Sequence, residues 1–134
     1  MAGYSGTPLP KKLGLKPGQS TLLLAVPTNV RDLIRAETTS AKTRFSGRGS
    51  YDVILLFVTS RDELERRFKK LASCLTPTGG LWVAWPKKAA KVPTDMTEDA
   101  VREVALPLGL VDNKVCAIDD VWSGLRCVIR KENR

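Results

Sequence analysis

Histidine is absent from this chain, which leaves it without the usual general base at neutral pH and without the commonest metal ligand. Any catalysis would fall to Asp, Glu, Lys, Tyr, Cys or Ser. Cysteine is scarce, and Cys74, Cys116 and Cys127 lie far apart, with none of the close spacing of a metal site. They are expected to be buried thiols. No run reaches the roughly 18 apolar residues that cross a bilayer, and the N-terminus lacks the charged-then-apolar order of a signal peptide. A cytoplasmic protein with no membrane partner is expected. Aromatic residues are only 6% of the chain, and the first fifty positions hold just Tyr4 and Phe45, too few for a platform on which bases stack. Acidic residues are also few there: up to Ser50, eight basic residues are set against Asp32 and Glu37 alone.

The 134 residues suffice for one domain with a single core, and 43% apolar with 27% charged residues is ordinary for a globular protein. The formal charge of +8 suits either a soluble basic surface or contact with anionic partners. Residues 1–20, rich in Gly, Pro and Lys, read as a basic extended arm anchored by Leu13 and Leu15, and residues 21–134 as the domain.

Leu22 to Val26, closed by Pro27, is a short apolar run that suits a buried parallel strand. A short helix follows from Thr28 or Asn29 through Val30, Leu33 and Ile34. The polar, basic stretch from Ala36 to Ser50 predicts a loop, or a weak edge strand around Thr43 to Ser46. Val53 to Val58 is the most β-biased run and predicts a central strand. Ser60-Arg61-Asp62-Glu63 then fits a capping box, with Leu64, Phe68, Leu71, Ala72 and Leu75 on one helical face.

Thr76 to Gly80 reads as a turn into an interior strand, Leu81-Trp82-Val83-Ala84-Trp85, which emerges at Pro86-Lys87-Lys88. Asp95 and Glu98 are placed to cap a further helix carrying Val101, Val104, Ala105 and Leu108. Val115 to Ile118 and Leu125 to Arg130, around a turn from Asp119 to Gly124, predict a terminal β-hairpin. A hairpin turn centred on Val121 and Trp122 would bring Cys116 and Cys127 close together, although a reducing cytoplasm disfavours a disulfide.

The alternation of strand and helix gives the α/β class: a single-domain, mostly parallel sheet with helices on both faces and a C-terminal antiparallel hairpin. Leu13-Gly14-Leu15-Lys16-Pro17-Gly18 before the first strand, Tyr51-Asp52-Val53-Ile54, Leu75-Thr76-Pro77-Thr78-Gly79-Gly80-Leu81 and the final hairpin resemble class I S-adenosylmethionine-dependent methyltransferases. That resemblance implies a shortened Rossmann-like fold. It also implies a glycine-rich cofactor loop after the first strand, where this chain has Ala25-Val26-Pro27-Thr28-Asn29. The distance from Val30 to Tyr51 is likewise too short for the helices and two strands which that family places there. The cofactor site is therefore expected to be lost, and no cofactor is expected. GYSGTPLPKKLGLKPG, YDVILLFVTSRDELERRF, GLWVAWPKK, VPTD and GLVDNKVCAIDDVWSGLRCV resemble more closely the bacterial domain-of-unknown-function family DUF3052, which implies no activity.

In such a sheet ligands bind at the carboxyl edge of the parallel strands. That edge should gather Thr28, Asn29, Ser60, Arg61, Trp85, Lys87 and Lys88. If the strand ending at Ile118 is parallel to them, Asp119, Asp120, Trp122 and Ser123 join across the opening. Helix N-termini near Ser60 and Asp95, with the paired lysines, favour an anion, and Trp85 and Trp122 could stack on a ring. Alternatively both tryptophans are core and the aspartates hold the turn.

Three functions fit. The first is a non-enzymatic module binding a small anionic ligand or a protein partner. The second is an enzyme, either a diverged methyltransferase or one using Asp119 or Asp120 as base and Lys87 as electrostatic stabiliser. The third, less favoured, is a nucleic-acid binder using the arm, Arg44, Arg48 and the basic helix face of Arg66, Arg67, Lys69 and Lys70.

Overall fold

A computed structural model of the chain describes residues 6–134. Met1 to Ser5, the start of the expected arm with Tyr4, lie outside the described residues. Five strands, β1 (Thr21–Leu24), β2 (Tyr51–Phe57), β3 (Leu75–Pro86), β4 (Leu110–Ala117) and β5 (Trp122–Ile129), form one sheet in the order β1-β2-β3-β5-β4. β1, β2 and β3 are parallel, and β5 runs antiparallel to both β3 and β4. β4 therefore shares the direction of the first three strands, so its carboxyl end opens on their edge.

The central strands are apolar on both faces because both faces are covered. On one face α3 (Arg61–Ala72) and α4 (Glu98–Ala105) lay Leu64, Phe68, Leu71, Val101 and Ala105 onto Leu22, Ile54, Leu56, Leu81, Val83, Trp85 and Leu125. On the other, α1 (Leu9–Leu13) and α2 (Thr28–Leu33) lead Leu9, Leu13, Leu15, Val30 and Ile34 onto Leu23, Val53, Leu55, Phe57 and Trp82. Complete burial of a side chain of this size contributes about 1.5–3 kcal/mol. The anchoring expected of Leu13 and Leu15 is present, but the segment is not extended, because Leu9–Leu13 is helical. Leu9, Leu13 and Leu15 are all buried, and the Trp82 indole N–H donates to the Leu13 carbonyl at 3.0 Å, so the segment before Thr21 is part of the core layer.

Three further boundaries differ from expectation. Thr76 to Gly80 is not a turn but the first half of β3. Tyr51 pairs with Leu75 and Val53 with Gly80, so a bulge absorbs the extra residues, including Pro77, without ending the strand. β4 begins at Leu110, before the run from Val115. Its opening carries Asp112, Asn113 and Lys114, whose polarity hides the strand. The weak edge strand is reduced to one parallel bridge between Leu22 and Lys42, where the Leu23 and Lys42 amides donate to the Lys42 and Thr21 carbonyls.

The hairpin turn lies at residues 118–121, earlier than Val121 and Trp122. Cys116 therefore pairs with Gly124 and Cys127 with Asp112, and all three cysteines are free. Burial pushes the Cys127 thiol up to about 12, reinforced by Asp112 and opposed by Arg102. Burial also raises Cys116, against the pull of Lys12 and Lys114. A thiol in the unfolded chain ionises near pH ~8.5, so the folded state holds these protons more tightly. That contribution is fully present below the unfolded value and is lost as pH rises from about 9 towards 12. A thiol reagent at about pH 8 is expected to reach Cys74 and Cys127 only as the protein unfolds, and Cys116 slowly. Unfolding midpoints should fall above pH ~9; rapid native-state labelling of all three thiols would contradict this assignment.

Candidate functional site

The carboxyl edge is where the sequence places the site, and each part of it is held by local chemistry. β1 stops at Leu24 because Ala25 adopts φ 59°, the left-handed region that side-chain-bearing residues rarely enter. Pro27 then opens α2, leaving Thr28 and Asn29 exposed on its first turn. After β2, Ser60 caps α3 by accepting from the Glu63 amide at 3.1 Å. β3 ends at Pro86, and Lys87 enters a 3-10 turn (Lys88–Ala90) closed by Lys91 at φ 58°. The Lys87 amide donates to the Val121 carbonyl at 2.7 Å, which binds this turn to the β4–β5 turn.

Several expected ligand groups are engaged within the molecule. Asp119 Oδ1 accepts from the Val121 and Trp122 amides at 2.9 and 2.8 Å, and its Oδ2 accepts from Asn29 Nδ2 at 2.9 Å. One carboxylate thus shapes the hairpin turn and clasps it to α2. Arg61 donates to Glu65 at 3.1 Å and to Glu103 at 2.5 Å. The Glu103 bond, then that to Glu65, raises its pKa against burial, so the guanidinium is committed to the α3–α4 contact.

The helix N-termini are also occupied. Asp95 does not cap α4: it reaches across to accept from the Arg61 amide at 2.8 Å, so the start of α3 already holds a carboxylate. Thr97 caps α4 instead, accepting from the Ala100 amide at 3.0 Å. The free N–H groups expected near Ser60 and Asp95 are thus largely used by the chain itself.

The tryptophans divide. Trp85 is 6% exposed and packed under α3 and α4, so its ring offers no face to a ligand. Trp122 is half-buried and meets Phe57 edge-on, with ring centroids 5.0 Å apart. Ser123 is a strand residue paired with Trp85 and Ala117. Asp120 and Lys88 are exposed, and Lys87 is half-buried. The edge therefore does collect the expected residues, but Asn29, Arg61 and Asp119 close it rather than line it.

Sequence reading missed Lys91. Its place on the rim follows from a left-handed turn that no pattern announces. Among the described residues, every ion pair uses an arginine, Arg35, Arg61, Arg66, Arg67, Arg102 or Arg130. Lys87, Lys88 and Lys91 have no carboxylate partner there. The rim is consequently cationic, apart from Asp119 and the exposed Asp120.

The loop after β1 also bears on the methyltransferase cofactor. Approach of a ligand to backbone is easiest over glycine, whereas Ala25, Val26 and Pro27 carry side chains there and Asn29 is tied to Asp119. Sugar hydroxyls need an acidic acceptor about 20 residues on in such folds, yet no carboxylate occurs between Glu37 and Asp52. These residues do not fit S-adenosylmethionine.

No protein-family model matches the sequence, and none of the curated proteins does. Similarity appears in three dimensions. A protein from Thermoplasma acidophilum assigned as a methyltransferase superposes with a TM-score of 0.64 at 12% identity, covering 98% of this chain and 77% of that one. A SAM-dependent methyltransferase from Aquifex aeolicus gives 0.62 at 13% identity, covering 90% and 87%. Magnesium protoporphyrin IX methyltransferase from Synechocystis PCC 6803, with bound SAH, gives 0.59 at 13% identity, covering 85% and 75%. At such identities the likeness concerns fold: the chain is a small α/β domain similar in architecture to the Rossmann-like methyltransferases.

Proposed function

We propose that this chain is a cytoplasmic, non-enzymatic binding module built on a methyltransferase-like fold, which engages an acidic ligand or partner through the lysine rim of its carboxyl edge. The observation that carries this reading is the division of charge at that edge. Groups that would enclose a ligand or act on it, Asn29, Arg61 and Asp119, are spent on internal contacts. Lys87, Lys88 and Lys91 project from a turn pinned to Val121 and have no carboxylate among the described residues. An exposed cationic rim favours encounter with an acidic surface. No helix among the described residues is long and apolar enough to cross a membrane. We further propose membership of the domain-of-unknown-function family that the sequence resembles.

Native mass spectrometry of freshly purified protein, beside a Lys87→Ala, Lys88→Ala double variant, tests this. A bound acidic species should appear on the native chain and be lost from the variant. With polyglutamate as probe, affinity should drop about tenfold, since exposed charges contribute up to about 1 kcal/mol each. Unchanged binding would remove the lysines from the function. The fold of the structural neighbours supports a second reading, a diverged methyltransferase. Saturable binding of S-adenosylmethionine by calorimetry would favour it over the module. DNA binding that weakens steeply with salt would favour the nucleic-acid reading.

A further inference from the structure

A cleft of about 420 Å³ opens at the opposite, amino edge of the sheet, on the face covered by α1, between the starts of β2 and β3 and the far half of β5. Arg126 is its centre. The strand register sets Arg126 beside Trp82 on β3 and Lys114 on β4, and its guanidinium lies across Gly80. A Cβ at Gly80 would overlap Arg126 Nε and sit 2.6 Å from Cζ, so the missing side chain is what makes room for the arginine. Gly79 has a different reason: a Cβ there would meet the Tyr51 and Asp52 carbonyls at 2.9 and 3.0 Å.

Arg126 is half-buried, yet it forms no hydrogen bond or ion pair among the described residues. Burial, then repulsion from Arg134, lowers its pKa. The other arginines without ion pairs, Arg31, Arg44, Arg48 and Arg134, are exposed to water. Around Arg126 the cleft is lined by Lys12 and Lys114, with Asp52 as its one carboxylate. Both Asp52 oxygens are engaged, one by the Ser20 amide at 3.1 Å and the other by the Thr76 hydroxyl at 3.2 Å. Lys114 Nζ donates to the Lys12 carbonyl at 2.6 Å, which holds its charge beside the cleft.

We propose that this cleft binds a small multivalent oxyanion, the phosphate or carboxylate groups of a metabolite, with Arg126 as the anchor and Lys114 flanking it. A half-desolvated guanidinium without an acceptor is costly, and a planar fork of donors matches an oxyanion bidentately. Gln19 and Thr78 add polar groups at the wall. The site is separate from the lysine rim and does not depend on it.

The test is calorimetric titration of the full chain with inorganic pyrophosphate and, separately, with citrate, at fixed ionic strength. Arg126→Gln is expected to weaken binding about tenfold to a hundredfold, the scale of a charge-assisted hydrogen-bond pair. Gly80→Ala, which leaves every charge in place, should weaken it comparably by displacing the guanidinium. Lys87→Ala, Lys88→Ala should change nothing here. Preference for pyrophosphate identifies a phosphoryl ligand, and preference for citrate a carboxylate one. No saturable binding of either probe, or equal binding by Arg126→Gln, overturns the proposal. If Arg126→Gln fails to fold, amide shifts of the native chain decide: changes at Gly79, Gly80 and Asn113 support the site, and changes confined to residues 87–91 refute it.

Discussion

Replacing Trp82 by alanine is expected to lower the unfolding free energy by about 3–5 kcal/mol, a large part of the roughly 5–15 kcal/mol of a typical domain. Trp82 is fully buried at the middle of β3 and belongs to the cluster that receives Leu9, Leu13 and Leu15. Gly124, on the neighbouring strand, leaves space that the indole uses: a Cβ there would approach Trp82 Cε3 to 3.2 Å. Alanine would leave a cavity the sheet cannot close and an unpaired Leu13 carbonyl. Trp82→Phe separates these effects, keeping most of the volume and losing only the bond, for about 1–3 kcal/mol. Urea midpoints give the size, and trypsin gives the place. Cleavage at Lys11 or Lys12 should speed up in both variants before global unfolding does. An N-terminal segment still protected in Trp82→Phe would show that Leu9, Leu13 and Leu15 hold it without the indole.

What the sequence revealed depended on how local the cause was. Ser60 to Glu63 followed by Leu64, Phe68 and Leu71 announces α3, because cap and stripe lie within a few turns of one another. Val53 to Val58 announces a strand covered on both faces, because no residue in it could face water. β4 was half hidden, since its opening residues Asp112 to Lys114 have no alternation until Arg126 and Cys127 are known to lie beside them. The anchoring of the N-terminal segment by Leu13 and Leu15 was legible, but its bond to Trp82 was not, because it joins residues 69 apart in sequence.

The carboxyl edge was legible as a place and illegible as a state. Strand direction and the position of Pro86-Lys87-Lys88 fix which residues gather there. Whether they remain free depends on partners such as Asn29 with Asp119 and Arg61 with Glu103, 90 and 42 residues apart. Arg126 has the spacing of the wet face of an antiparallel strand. Its alternation with Leu125 and Cys127 is real, but the face it occupies is roofed by α1, and Gly80 receives it.

Asp119→Ala carries the second large expected effect, about 2–4 kcal/mol of stability, because one carboxylate satisfies two turn amides and the Asn29 side chain. Loss of the acceptor leaves the Val121 and Trp122 amides to find water in a half-buried turn, and it releases α2 from the hairpin. Asp119→Asn should retain most of the stability. Its carbonyl oxygen can still accept from both amides, and the Asn29 amide can turn to present oxygen to the new N–H₂. The two variants therefore share a loss of charge and differ in geometry. Removing that charge beside Lys87 should strengthen the positive field of the rim, so Asp119→Asn is expected to bind polyglutamate more tightly at low salt than the native chain, with the difference vanishing as salt rises. Denaturation midpoints and binding measured on the same samples decide it. Equal destabilisation by both substitutions would mean that the carboxylate acts as a charge rather than as a turn acceptor, and weaker polyglutamate binding by Asp119→Asn would move the partner's contact away from the lysines.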